Sequence, residues 1–247
     1  MKIAIFGLGY VGKRLVTALK SHFKVTSYST KTQIDNSFIF DATKKSEVQK
    51  ISASKYDLTI TTFPINNACI EYIDFLFATC SKNILLGSTG IYKRSSLGEI
   101  VTEKTPLLTE HKRYQSEINF IKRGGVILRL AGIYGKKRVP LNWLKSPRVG
   151  YCDKQLNLIH VNDIVEALQL MITQYPVDHV YNLSDGEKHT WKTIIDFAYH
   201  KKILDHKIDS VEINENSFVA NDKFAQEYPQ LKFNNLFEFL QNKGNNA

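Results

Sequence analysis

Residues 2–6 form an apolar run dense enough for a strand covered on both faces. Polar positions follow, and Val11, Leu15, Ala18 and Leu19 then recur at helical spacing up to about Ser21. The exchange repeats along the chain. Residues 23–28, 37–40, 58–62, 83–87 and 125–130 read as strands, and residues 44–54, 66–80 and 110–122 as helices. Strands separated by helices predict an α/β fold, a Rossmann-like doubly wound parallel sheet. Beyond it the pattern loosens. Residues 136–151 form a basic loop with two prolines, and a helix is expected over 163–174 with Asn162 or Asp163 as its cap. A strand over 179–183, a helix over 190–204 capped by Thr190, and a last apolar helix through 237–240 complete the reading. The expected division is a dinucleotide-binding domain over 1–130. A smaller carboxyl-terminal substrate-side subdomain, 131–247, closes over it.

The 247 residues suffice for one large or two small cores, and 43% apolar with 23% charged residues is ordinary for a globular protein. No signal peptide and no bilayer-spanning run is read, so no membrane partner is expected. Cys69, Cys80 and Cys152 lack metal-ligand spacing, so no metal site is expected. Three scattered thiols suit a reduced compartment, hence the cytoplasm. The net charge of +9 admits nucleic acid. The basic residues are dispersed, however, and no nucleic-acid motif stands out. An anionic cofactor or substrate explains the balance equally well, which ranks nucleic acid last among partners. The Asn-rich end, 242–247, reads as a frayed tail.

The first candidate chemistry is Gly7, Gly9 and Gly12, a G-x-G-x-x-G placed where a strand turns into a helix. Gly7 permits the tight turn, Gly9 lets backbone approach a pyrophosphate, and Gly12 lets helix pack on strand. Free amides across Gly9, Tyr10, Val11 and Gly12, with the positive helix end, face the phosphates. The second strand ends in Ser29, Thr30 and Lys31, with no carboxylate for a ribose hydroxyl. Hydroxyls and a lysine suit a 2′-phosphate, which favours NADP over NAD. Asp41, ending the third strand, either meets the adenine amino group or caps the next helix. Thr62, ending the fourth, passes near the cofactor.

Further stretches complete a pattern: Leu-Gly-Ser-Thr-Gly-Ile-Tyr (86–92), Leu-Arg-Leu-Ala-Gly-Ile-Tyr-Gly (128–135), Ile-His-Val-Asn-Asp-Ile-Val (159–165) and Val-Tyr-Asn-Leu-Ser-Asp-Gly-Glu (180–187). With the glycine turn, they make the chain resemble the extended short-chain dehydrogenase/reductase superfamily over nearly its whole length. These are NAD(P)-dependent epimerases and dehydratases, often acting on nucleotide sugars. The chain looks most like an atypical branch that lacks the usual catalytic tyrosine. The resemblance implies a Ser or Thr after the fifth strand to hold the reacting oxygen, present as Ser88 and Thr89. It also implies a Tyr as acid or base, and a Lys four residues on that lowers the Tyr pKa and contacts the nicotinamide ribose. Matching the Glu that usually follows this Lys to Glu117 puts Arg113 at the Lys position and Thr109 at the Tyr position. Thr is no substitute for a phenol. Tyr114 would need Lys at position 118, which is Ile118, and Tyr228 to Lys232 carries Pro229.

Tyr92 and Tyr134, each just past a strand end, are the substitute phenols; the other reading makes them cleft-wall aromatics. Ser88 and Thr89 could likewise be turn hydroxyls bonding their own backbone. His160 is either a proton carrier or a loop brace. Lys136, Lys137, Arg138, Lys145 and Arg148 either hold a substrate phosphate or line a solvated loop. Arg129, inside an apolar strand, needs a buried partner. The resulting expectation is an NAD(P)-binding oxidoreductase or epimerase acting on a small-molecule, phosphate-bearing substrate, with a homodimer compatible. The rival is a non-catalytic NAD(P)-binding sensor.

Overall fold

The structure, a computed structural model, describes all residues except 32–36, 52–54, 95–96, 147–148, 214–215 and 245–247. The chain forms two compact units. Unit 1 is Met1–Ile91, Pro106–Arg129 and Val165–Tyr181; unit 2 is Tyr92–Thr105, Leu130–Ile164 and Asn182–Ala247. One crossing falls at Leu130, where the sequence divides. Residues 92–105 and 165–181 add crossings that the hydrophobic pattern does not carry.

Unit 1 is built on a seven-stranded parallel sheet. In chain order its elements are β1 (Lys2–Phe6), α1 (Gly12–Leu19), β2 (Lys24–Ser29), β3 (Phe38–Ile39), α2 (Lys45–Lys50), β4 (Leu58–Thr61), α3 (Ile70–Thr79) and β5 (Asn83–Ser88). After β6 (Leu97–Val101), which belongs to unit 2, come α4 (Tyr114–Lys122) and β7 (Val126–Leu130). The sheet order is β11-β7-β5-β4-β1-β2-β3, where β11 is Val180–Leu183; the last residues of β7 and β11 count with unit 2. The order of strand addition reverses between β1 and β4, and ligands of such sheets bind at this switch point, beyond the strands' carboxyl ends. Ile3, Ala4, Ile5 and Phe6 are wholly buried, as a doubly covered strand requires. Phe6 stacks on Tyr28 at 4.6 Å and meets Phe40, Tyr72 and Phe75 edge-on, so aromatic packing fixes the sheet face beneath the switch point.

Arg129 finds the partner its burial demands. Its Nε and Nη2 donate to Glu117 Oε2 at 3.1 and 3.0 Å, and both side chains are at most 2% exposed. Burial outweighs the guanidinium and holds the Glu117 carboxyl above its ordinary value. Gly87 sits over the pair: a Cβ there would lie 2.8 Å from Ile127 and 3.1 Å from Arg129.

Unit 2 holds short pairs. These are β8 (Gly132–Tyr134) with β10 (Leu158–His160) and β6 with β13 (Asn216–Val219), both parallel, and β9 (Gln155–Leu156) with β12 (His189–Thr190), antiparallel. Helices α6 (Trp191–His200), α7 (Asp222–Glu227) and α8 (Leu236–Gly244) belong to it, while α5 (Val161–Thr173) spans the boundary. Tyr134, Leu158, Ile194, Leu236 and Leu240 form one of its core clusters.

Several boundaries move for local reasons. The helix expected from residue 163 starts at Val161, so Asn162 and Asp163 lie inside its first turn, and the Asp163 carboxylate accepts from Asn234 N at 3.0 Å. Helix α3 starts at Ile70 because Asn67–Cys69 is a 3-10 turn whose cap, Asn66, accepts from Ala68 N. Turns at His111 and Tyr114 delay α4 to Tyr114. Thr190 caps α6 as predicted, accepting from Thr193 N, but the helix ends at His200, short of Leu204. Helix α2 ends at Lys50; residues 52–54 of the predicted helix lie outside the described residues.

Candidate active site

The glycine turn is tied to both strands beside it. Gly7 N donates to Tyr28 O at 2.8 Å and Thr62 N to Phe6 O at 2.8 Å. Thr62 Oγ1 donates to Gly7 O at 2.6 Å. Gly7 has φ +98°, the left-handed region that glycine tolerates, and a Cβ there would meet Thr62 Oγ1 at 2.9 Å. A Cβ on Gly12 would lie 1.9 Å from Gly7 O, whereas one on Gly9 would meet nothing within 4 Å. Two glycines are therefore required by packing, and the middle one opens onto free space. Val11, preceding α1, offers no side-chain cap, while Lys13 N is taken by Gly9 O at 3.2 Å.

That space is a cavity of about 510 Å³ within unit 1. It brings together Gly7, Gly9, Ser29, Thr30, Lys31 and Asp41, all named from the sequence. Tyr28, Phe40 and Phe63 add aromatic wall, and Lys13 adds a second cation. Lys13 was not singled out from the sequence; its place directly after the third glycine was the available signal. Tyr10, Val11, Gly12 and Thr62 do not line the cavity. The Arg14 guanidinium lies 4.1 Å over the Tyr10 ring, Val11 is buried, and Thr62 braces the turn from behind. Asp41 takes Thr43 N and Oγ1 at 3.0 and 2.7 Å, bonds that hold its carboxyl below the ordinary range. This is an Asx turn ahead of α2, whose own cap position is Lys44.

The proposed catalytic groups divide between the two units. Ser88, half-buried at the end of β5, accepts Gly90 N at 3.2 Å, and Thr89 is buried beside it. Arg113 precedes α4, and its Nε is buried with no hydrogen-bond partner among the described residues; Glu117 Oε1 is in the same condition. Thr109 is exposed and donates to Glu110. In unit 2, Tyr92 is buried and donates to Asn182 Oδ1 at 2.7 Å. Tyr134 is buried and donates to Asn234 O at 3.0 Å; burial and the Asp185 and Asp163 carboxylates push its phenol up. A phenol so placed resists ionisation. His160, packed between Tyr134 and Phe239, accepts Asn162 N at 3.3 Å, the geometry of a brace. Lys136, Lys137 and Arg138 form a turn in which Lys137 has φ +71°; Arg148 lies outside the described residues. The cysteines are free, with Cys69 and Cys80 buried. Among the described residues no cluster could hold a metal, and no helix is long and apolar enough to cross a membrane.

No protein-family model and no curated protein matches the sequence. Solved structures match the fold over almost the whole chain. The dTDP-glucose 4,6-dehydratase of Bacillus anthracis, solved with NAD, is 13% identical with a TM-score of 0.77, covering 99% of this chain and 96% of that one. The UDP-glucose 4-epimerase of Thermotoga maritima, solved with UDP-glucose, is 14% identical at a TM-score of 0.77, covering 98% and 96%. The ADP-L-glycero-D-manno-heptose-6-epimerase of Helicobacter pylori is 12% identical at 0.75, covering 98% and 92%. At these identities the likeness is one of fold.

Proposed function

We propose that unit 1 binds a nicotinamide dinucleotide and that the protein is an NAD(P)-dependent enzyme of the epimerase, dehydratase or reductase kind. The carrying observation is the contrast among the three glycines: Gly7 and Gly12 are closed by packing, while Gly9 opens on the cavity. A diphosphate there meets side-chain-free backbone and the uncapped start of α1. Dinucleotides bound to proteins of this fold, such as the Bacillus anthracis dehydratase with NAD, support the same reading.

NADP is favoured over NAD, because Lys13 and Lys31 with Ser29 and Thr30 line one cavity and no carboxylate ends β2. When bound, the nicotinamide accepts or donates hydride. The chain's own contribution is positional: Ser88 or Thr89 holds the substrate oxygen, and Arg113 supplies a fixed cation where the superfamily resemblance puts lysine. The substrate is a small molecule, phosphate-bearing on the reading that Lys136, Lys137 and Arg138 meet its phosphate. Tyr92 and Tyr134, bonded and buried, serve the frame, which leaves the proton donor unassigned among the chain's phenols. That same observation favours the second reading, a sensor that binds cofactor without turnover.

Titrating the protein with NADPH and NADH while following nicotinamide fluorescence tests both. Saturable binding, tighter for NADPH, is expected, and no binding up to about 1 mM of either would end the proposal. Binding with no exchange of label at the substrate carbon, across a panel of nucleotide sugars, would select the sensor.

A further inference from the structure

Unit 2 contains a cavity of about 480 Å³ whose lining includes none of the residues placed above in cofactor binding or catalysis. It lies between residues 185–189, which join β11 to β12, and residues 232–237, which enter α8. The volume is typical of small-molecule sites. Asp185 and His189 line it with side chains 2% and 6% exposed, joined Oδ2 to Nε2 at 3.0 Å. The other carboxylate oxygen accepts Glu187 N at 3.1 Å. A carboxylate can only accept, so Nε2 carries a proton, and in the neutral imidazole the lone pair is then on Nδ1. Nothing among the described residues bonds that Nδ1. A ring nitrogen with an unused lone pair, in the wall of a cavity, can take a donor from a ligand.

The facing wall is fixed. Asn234 N donates to Asp163 Oδ2 at 3.0 Å, its side-chain amide donates to Asp163 Oδ1, and its carbonyl accepts from Tyr134. Asn235 Oδ1 takes Phe237 N and Glu238 N at 2.9 and 3.1 Å, so the second and third amides of α8 are already capped. Formal charges balance, with Lys188 and Lys232 set against Asp185 and Glu187. Phe233 and Phe237 add apolar rings, Phe237 edge-to-face with His189 at 5.6 Å.

We propose that this cavity is a second ligand site for an uncharged polyhydroxy compound. A ligand hydroxyl donates to His189 Nδ1, the lysines donate to other hydroxyls, and the C–H face of the ligand packs on Phe233 and Phe237. A charge-balanced wall favours a neutral ligand, and an acceptor nitrogen selects a hydroxyl over a carboxylate or phosphate ester.

The test uses the full chain, ¹⁵N-labelled, observed through its imidazole nitrogens and titrated separately with myo-inositol, glucose and inorganic phosphate. Either polyol should shift the His189 Nδ1 signal saturably with a millimolar Kd, and phosphate should not. H189F should weaken that binding at least about tenfold while leaving NADPH affinity unchanged. Should H189F not fold, Lys232→Met, at an exposed position, decides instead, with affinity falling about threefold. No polyol response up to about 100 mM, phosphate binding in place of polyol, a response surviving H189F, or unchanged affinity in folded K232M would each overturn the proposal.

Discussion

The two cavities are made of different material. The one in unit 1 is a backbone site: it rests on a positive φ at Gly7, a missing Cβ at Gly12 and a start of α1 without a side-chain cap from Val11. The one in unit 2 is a side-chain site: Asp185 orients His189, Asp163 and Tyr134 clamp Asn234, and Asn235 closes the helix start. A backbone site tolerates no added atom where strand, turn and helix touch. A side-chain site tolerates added atoms but depends on every partner of a hydrogen-bond network.

Gly12→Ala should show the largest effect. The new methyl cannot occupy a point 1.9 Å from Gly7 O, so the turn must open. We expect nucleotide affinity to fall at least ~100-fold and stability by about 3 kcal/mol, read by NADPH titration and thermal melting. Gly9→Ala, placed in open space, should leave the melting temperature unchanged and weaken only nucleotide binding. Equal destabilisation by both would mean that the turn is not the rigid element described here.

Asp163→Ala comes next. It strands the Asn234 donors and should cost about 2 kcal/mol, while nucleotide affinity stays within about twofold. A large loss of NADPH binding in this variant would erase the distinction between the two sites.

The smallest effect is a pH slope from Glu117. Its folded value is raised above the ordinary 4.5, so between the two values the folded state keeps a proton that the unfolded state releases. Stability is therefore highest below that window and declines as pH rises through it. Denaturant melts of wild type and Glu117→Gln across this range should show the slope in wild type alone.

Legibility followed the same division. Residues 2–6, the glycine spacing and the hydroxyl–lysine end of β2 are local, and the sequence predicts both the sheet and the cavity lining drawn from them. Arg129 showed that a partner was needed, and Glu117 was marked only through the family resemblance; that the two meet appeared with the fold. Strands β8, β9, β10 and β12, at two or three residues, are too short to carry a period. Asp163 read as a cap because caps and long-range acceptors use the same side chain.

What the chain's order of residues determined by itself is the succession of strands and helices and the glycine turn, since each arises from periodicity within a short stretch and from where Cβ atoms are missing. Only the tertiary structure decided that Tyr92 and Tyr134 are buried and hydrogen-bonded, that Lys13 joins Lys31 in one cavity, and that Asp185 holds His189 beside the segment leading into α8. Most of those pairings bring together residues far apart in the chain. Chain closure makes such a pairing costly in entropy, and no local periodicity records which partner repays it.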